Sequence, residues 1–182
     1  MEPLPGPGWL PGRIPLSFRS LRRGILVLAC LLAAACGSSD PKAMTDEGAA
    51  ALNSGKAKEA LADFDRALGH MDAGHPDFLR ASIGRCQALA RTDAARAQAD
   101  FLALAQNAAA KVGAQDYTTV ALDLVQSRAI GPAVAIAEAG LKRFPDSKEM
   151  KTLRDKVGDA AKKANDPEAM KKLQGLGYAG DG

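Results

Sequence analysis

The chain has 182 residues, of which 47% are hydrophobic and 4% aromatic, with 24 Lys and Arg against 21 Asp and Glu. So few rings among so many alanines argue against a β-sandwich or barrel and for closely packed helices. The positive excess sits in the first 35 residues, which hold four arginines and one glutamate; from Cys36 onward there are 20 basic and 20 acidic side chains, and the basic footprint that nucleic-acid binding requires is missing.

Met1 to Ser17 carries five prolines and Trp9, and reads as an extended leader or as sequence upstream of the true start. Arg19, Arg22 and Arg23 then precede an apolar run, Ile25 to Ala35, that is too short to span a bilayer. Basic residues, a short apolar run and small residues at a cleavage point predict a secretory signal peptide over 1–35. Leu32-Ala33-Ala34-Ala35-Cys36 resembles the lipobox of bacterial lipoproteins. That resemblance implies lipidation at Cys36, and acyl chains in combination anchor firmly where one is marginal. An ordinary cut near Ala35 is the alternative, Val27-Leu28-Ala29-Cys30 is a competing lipobox, and Leu21 to Leu26 carries a faint twin-arginine look. Residues 36–41 are polar and suit a flexible tether. Gly37 after the Cys, not Asp, implies by the lipoprotein sorting rule the periplasmic face of an outer membrane.

The remaining 147 residues suffice for one domain with a continuous core. Helices are predicted over Ala43–Asn53, Lys56–Leu68, Asp77–Ala90, Ala94–Ala110, Gln115–Gln126 and Pro132–Phe144. Ser54-Gly55 breaks the first pair, Gly69 to Pro76 is a loop, and Thr92-Asp93 offers an N-cap. Ser147 caps a further helix whose apolar stripe is Met150, Leu153, Val157, Ala161 and Ala164, opposite many lysines. Asp166-Pro167-Glu168 opens a short last helix, ended by Gly175, with Gly177 to Gly182 as a loose tail. Within this series a pattern recurs: Ala60 with Phe64 and Ala67, Ala97 with Phe101 and Leu104, Ala133 with Ala137 and Gly140. Small residues at i and i+7 share one helix face and admit a close neighbour, and recurrence after 37 and 36 residues means one helix–turn–helix unit per repeat.

Three such units in phase resemble the tetratricopeptide-repeat family. Unit one carries Gly48, Ala51, Gly55, Ala60, Phe64 and Ala67, and unit three carries Tyr117, Ala121, Leu124, Ala133, Ala137, Gly140 and the exit Phe144-Pro145-Asp146. Unit two is the least regular: Gly84 at the first small position needs one extra residue in the turn, while Arg85 avoids that and fits worse. The resemblance implies an all-α, right-handed superhelical stack with three repeats over 42–145, a capping helix over 146–165, and a short helix and tail over 166–182. It also implies a concave groove lined by the first helix of each unit: Thr45, Ala49, Leu52 and Asn53; Ser82, Cys86 and Leu89; Thr118, Leu122, Val125 and Gln126. Such a lining, mixed apolar and amide or hydroxyl with little charge, suits a peptide with apolar anchors.

Chemistry has little to stand on. No nucleophile elbow, P-loop or zinc-protease motif is present, and Asp63 and Asp65 point to different helix faces. His70 and His75, with Asp72 between them, form the one loop with metal-ligand residue types. Cys86 reads as a small buried apolar residue on a helix or, less simply, as a reactive thiol. Residues 142–182 carry 10 basic and 7 acidic side chains, the solvated face of a cap or a surface for an acidic partner or anionic lipid. Leu173-Gln174-Gly175-Leu176-Gly177-Tyr178 resembles the L-x-x-L-G-Y endings of some exported bacterial proteins, and is expected to dock into a partner, fold back through Leu176 and Tyr178, or fray. The expectation is a lipid-anchored periplasmic adaptor without catalysis or cofactor, holding a protein or peptide partner of the cell envelope, for instance in outer-membrane protein assembly or pilus biogenesis. The alternatives are a metal- or small-ligand-linked regulator and a self-assembling structural protein.

Overall fold

A computed structural model describes residues 40–179, and every regular element within them is helical. The elements are α1 (Pro41–Asn53), α2 (Ala57–Leu68), α3 (Phe78–Ala90), α4 (Ala94–Gln106), a 3-10 turn (Ala108–Ala110), α5 (Ala114–Gln126), α6 (Ile130–Arg143), α7 (Lys148–Lys163) and α8 (Pro167–Gly175). None of them is long and apolar enough to cross a membrane. Cys36, the tether as far as Ser39 and the signal-peptide reading lie outside the described residues.

The helix starts follow from local chemistry. Asp40, Asp93, Ser147 and Asp166 each accept a backbone N–H from the first turn, of Lys42, Arg96, Met150 and Ala169 respectively. These bonds satisfy donors that have no partner within the helix. Several boundaries shift by a residue or two from the sequence reading, and two of the shifts have a clear local cause. The helix expected to run to Ala110 stops at Gln106, because Asn107 is extended and its side chain accepts from Ala109 N, starting a separate 3-10 turn. The helix expected to begin at Pro132 begins at Ile130; Pro132 falls in the first turn, where a missing N–H costs nothing.

The turns repeat too. Gly55, Arg128, Asn165 and Gly177 have φ of 77°, 62°, 52° and 83°. In each case the next residue's N–H reaches five residues back: Lys56 to Ala51, Ala129 to Leu124, Asp166 to Ala161 and Tyr178 to Leu173, at 2.9 to 3.1 Å. This is the Schellman closure, which turns the chain sharply enough to form a helical hairpin. The α3–α4 turn is the exception. Arg91 stays right-handed, Thr92 and Asp93 both donate to the Leu89 carbonyl, and α3 runs one residue further past Gly84 than α1 does past Gly48. Gly84 therefore holds the small position of unit two and Arg85 does not: Gly84 is buried against Phe64, while Arg85 reaches outward to Asp65 and Asp100.

Helices α1, α3, α5 and α7 touch in series and form one row; α4, α6 and α8 touch in series and form a second. α2 packs on α1 and α3 but makes at most slight contact with α4. The recurring alanines do what their spacing required. Ala60, Ala97 and Ala133 are fully buried, as are Phe64 and Phe101 four residues after the first two. Phe64 lies where α1, α2 and α3 meet: a Cβ on Gly48 would stand 2.9 Å from its ring, and one on Gly84 2.3 Å. Only hydrogen at both places lets the three backbones close around that ring. Further along, the rings of α4 and α5 meet, with Phe101 and Tyr117 edge to face at 4.9 Å and Phe144 packing edge-on to Tyr117 at 5.9 Å.

The segment from Gly177, expected as a loose tail, is held as far as Tyr178. That ring is buried over Gly158, where a Cβ would come within 2.4 Å of it, and its hydroxyl donates to Asp159 at 3.0 Å. Leu173 is fully buried beneath. Of the three expectations for the L-x-x-L-G-Y segment, the fold-back through Tyr178 is the one observed, and it makes α7 and α8 a fourth hairpin.

Candidate partner-binding face

The row α1, α3, α5 and α7 carries all eleven side chains expected to line a groove, but they divide by depth. Thr45, Leu52, Ser82, Cys86 and Leu89 are buried. Thr45 Oγ1 donates to the Pro41 carbonyl, and Leu52 packs with Ala60, Phe64, Ala81 and Ala88. These five serve packing between helices, with Ser82 and Cys86 also lining a cleft beside Arg85. Ala49, Thr118, Leu122 and Val125 are half-buried, while Asn53 and Gln126 are exposed. The more accessible part of the expected lining is thus a strip on α1 and α5.

What surfaces along α3 is polar, and the sequence reading missed it. Gln87 donates to Asp123 Oδ2 at 2.7 Å, and Arg91 lies 3.9 Å from the other oxygen of the same carboxylate. Arg91 also donates to the Leu52 carbonyl at the end of α1, at 2.9 Å. Asp123 is 9% exposed, so a carboxylate there needs these donors. The network joins α1, α3 and α5 across the row and holds them in register. Gln87 and Asp123 stand 36 residues apart, about one repeat, on neighbouring first helices.

On the other side of α3, Arg85 bridges α2 and α4 where those helices do not meet, with Asp65 at 2.5 Å and Asp100 at 2.6 Å. Burial works against its charge, and the two carboxylates outweigh burial and raise its pKa. Beside it a cleft of about 350 Å³ is lined by Leu68, Ser82, Cys86 and Leu104 among others. Cys86 is no nucleophile in this setting: burial first, then the nearby Asp100 charge, push its thiol from 9.0 up to about 12.

The histidine loop does not gather into a metal centre. His70 is exposed, His75 Nδ1 accepts the Asp77 N–H at 3.2 Å, and Asp72 accepts the Gly74 N–H at 2.9 Å. Among the described residues no three His, Cys, Asp or Glu side chains converge on one point. No family model, curated protein or solved structure matches the chain.

Proposed function

We propose that this protein is a lipid-anchored adaptor of the cell envelope. In this reading the helix pairs form a right-handed tetratricopeptide-like stack tethered at Cys36 to the periplasmic face of the outer membrane. The first-helix row holds a protein or peptide partner, in the service of an envelope assembly machine such as outer-membrane protein assembly or pilus biogenesis. The observation that carries the reading is the continuous row α1, α3, α5 and α7, braced internally by the Gln87–Asp123–Arg91 network. A braced row presents the half-buried Ala49, Thr118, Leu122 and Val125 with exposed Asn53 and Gln126 at its edges, and apolar contacts flanked by amides suit peptide capture. The anchor rests on the sequence, through Arg19 to Arg23, the apolar run and Ala35-Cys36. Confinement to a membrane face raises the local concentration of a captured partner, which lets a modest groove serve. No reaction is assigned, since the buried Cys86 thiol and the separated histidines have no neighbours to activate them.

The test is to crosslink intact cells expressing the full-length chain and identify what co-purifies from the membrane fraction, with Cys36→Ser as control. A partner lost both in Cys36→Ser and in Leu122→Glu supports the adaptor. A protein that fractionates as soluble and is indifferent to Cys36→Ser contradicts the anchor.

A further inference from the structure

Where α5 and α7 end side by side they enclose a cleft of about 670 Å³, within the range typical of ligand sites. Its floor is apolar, from Val125, Ile130 and Ala160, and its rim carries Arg128, Lys156 and Lys163. The sequence reading found little charge along the groove because these three cations come from a turn and from the capping helix. Folding brings them beside Val125, one of the expected contacts.

Some surface lysines are taken up by neighbouring acids, as Lys42 is by Asp46, Lys142 by Glu138 and Lys172 by Glu168, while others such as Lys58 and Lys151 stand in solvent without an acid partner among the described residues; what sets this cleft apart is that three cations surround one apolar hollow. The side chains of Arg128, Lys156 and Lys163 make no hydrogen bond or ion pair among the described residues. One carboxylate shares the rim, Asp159, and its Oδ1 accepts from the Tyr178 hydroxyl. Arg128 also holds the left-handed turn position that Gly55 fills in the α1–α2 hairpin and Asn165 in the α7–α8 hairpin. A residue with a Cβ is disfavoured there by about 1 kcal/mol relative to glycine, so the guanidinium is kept against a backbone preference.

Charge bookkeeping sets the kind of occupant. Three cations and the N-terminus of α6, which starts at Ile130, face one carboxylate and two helix C-termini; with each helix end worth roughly half an elementary charge, about one to two positive charges remain over an apolar floor. That balance suits one carboxylate beside an apolar side chain, and it is a poor match for a polyanion. A flat anionic bilayer would need cations spread over a convex surface, whereas these surround a hollow. We infer that the α5–α7 cleft binds a segment of a partner protein carrying a single acidic side chain next to an aliphatic or aromatic one. This rests on the adaptor reading, and it names the chemistry of the partner.

The probe is a fluorescein-labelled peptide with one Asp between Leu and Phe in a Gly-Ser backbone, titrated by anisotropy against the detergent-purified full chain. The same peptide with Asn for Asp is the control, and vesicles containing phosphatidylglycerol are a separate arm. Binding of the Asp peptide is expected to weaken at least tenfold in Lys156→Glu/Lys163→Glu and several-fold in Arg128→Gly. Arg128→Gly should keep or raise the denaturation midpoint, since glycine relieves the turn, so its loss of binding would not be a loss of fold. Equal binding of the Asn peptide, or binding indifferent to these variants, overturns the assignment. Vesicle binding that depends on these cations while the peptide stays unbound also overturns it, in favour of a membrane. Capture in cells of a partner that needs Leu122 but tolerates Arg128→Gly and Lys156→Glu overturns the cleft and leaves the adaptor standing.

Discussion

The α1–α2 hairpin and the hairpins after it both set glycine against a ring, but differ in how many rings share the core. At the first, two glycines remove every side-chain atom that would keep α1 and α3 from the Phe64 ring, and the backbones come in. Downstream, Gly140 admits Tyr117 in the same way, but Phe101, Tyr117 and Phe144 also pack edge to face with one another. The cores are also separate. Leu52, Ala60, Phe64, Ala81 and Ala88 form a small cluster, while a larger one runs from Ile83 to Tyr178. Where α2 fails to meet α4, a part-exposed arginine bridge stands in for apolar contact. A small cluster supplemented by screened surface charge is the weaker kind of joint. The first hairpin should therefore open before the rest, and flexibility at the end next to the tether would leave the α5–α7 end rigid.

The largest effects should come from the two rings. Phe101→Ala is expected to cost about 3–5 kcal/mol and lower the whole unfolding transition in denaturant. Phe64→Ala removes as much ring, but its loss should fall on α1 and α2 in native-state hydrogen exchange, with α5 to α7 keeping their protection. Equal loss of protection throughout would show one cooperative core and break the comparison. Overpacking comes next. Gly84→Ala should cost about 1–3 kcal/mol by displacing the Phe64 ring, and Gly158→Ala a like amount by expelling Tyr178, both read from denaturation midpoints.

A smaller effect separates packing from hydrogen bonding at the tail. Tyr178→Phe keeps the ring over Gly158 and loses only the bond to Asp159, so it should cost about 0.5–1.5 kcal/mol, well below Tyr178→Ala. If the two variants cost the same, the ring contributes nothing and the fold-back is incidental. The effect of Cys86 is confined to alkaline pH and is nil at neutral pH. Its thiol ionises near 9 when unfolded and near 12 when folded, so the unfolded chain sheds its proton first. Stability is unaffected below pH 9 and falls as pH rises from there toward 12. A Cys86→Ala variant should lack this alkaline slope, and a thiol reagent at neutral pH should label the wild-type residue only on unfolding.

The helices and their order were legible because their cause is local: alanines at seven-residue spacing, Asp and Ser at helix starts, glycine at turns. The irregular turn of unit two was legible as a choice between Gly84 and Arg85, and only the packing of Phe64 decides it. The end of α4 was not legible, because Asn107 stops a run of alanines by a single side-chain bond that composition does not reveal. The repeat register places Thr45, Leu52, Ser82, Cys86 and Leu89 on the first helices but does not say how far each side chain is buried between helices, and these five are buried. The Gln87–Asp123–Arg91 network and the cations around Val125 join residues of different helices, so no window along the chain contains them.

The most direct test of an adaptor with one working row is a photo-crosslinking residue placed in turn at Leu122 and Gln126, and at Lys58 and Ala99 on α2 and α4, in the anchored full-length chain in living cells. The account predicts a defined protein adduct at the first two positions, none at the other two, and its loss in Cys36→Ser. Adducts equally strong from α2 and α4, or adducts only to further copies of this chain, would contradict it.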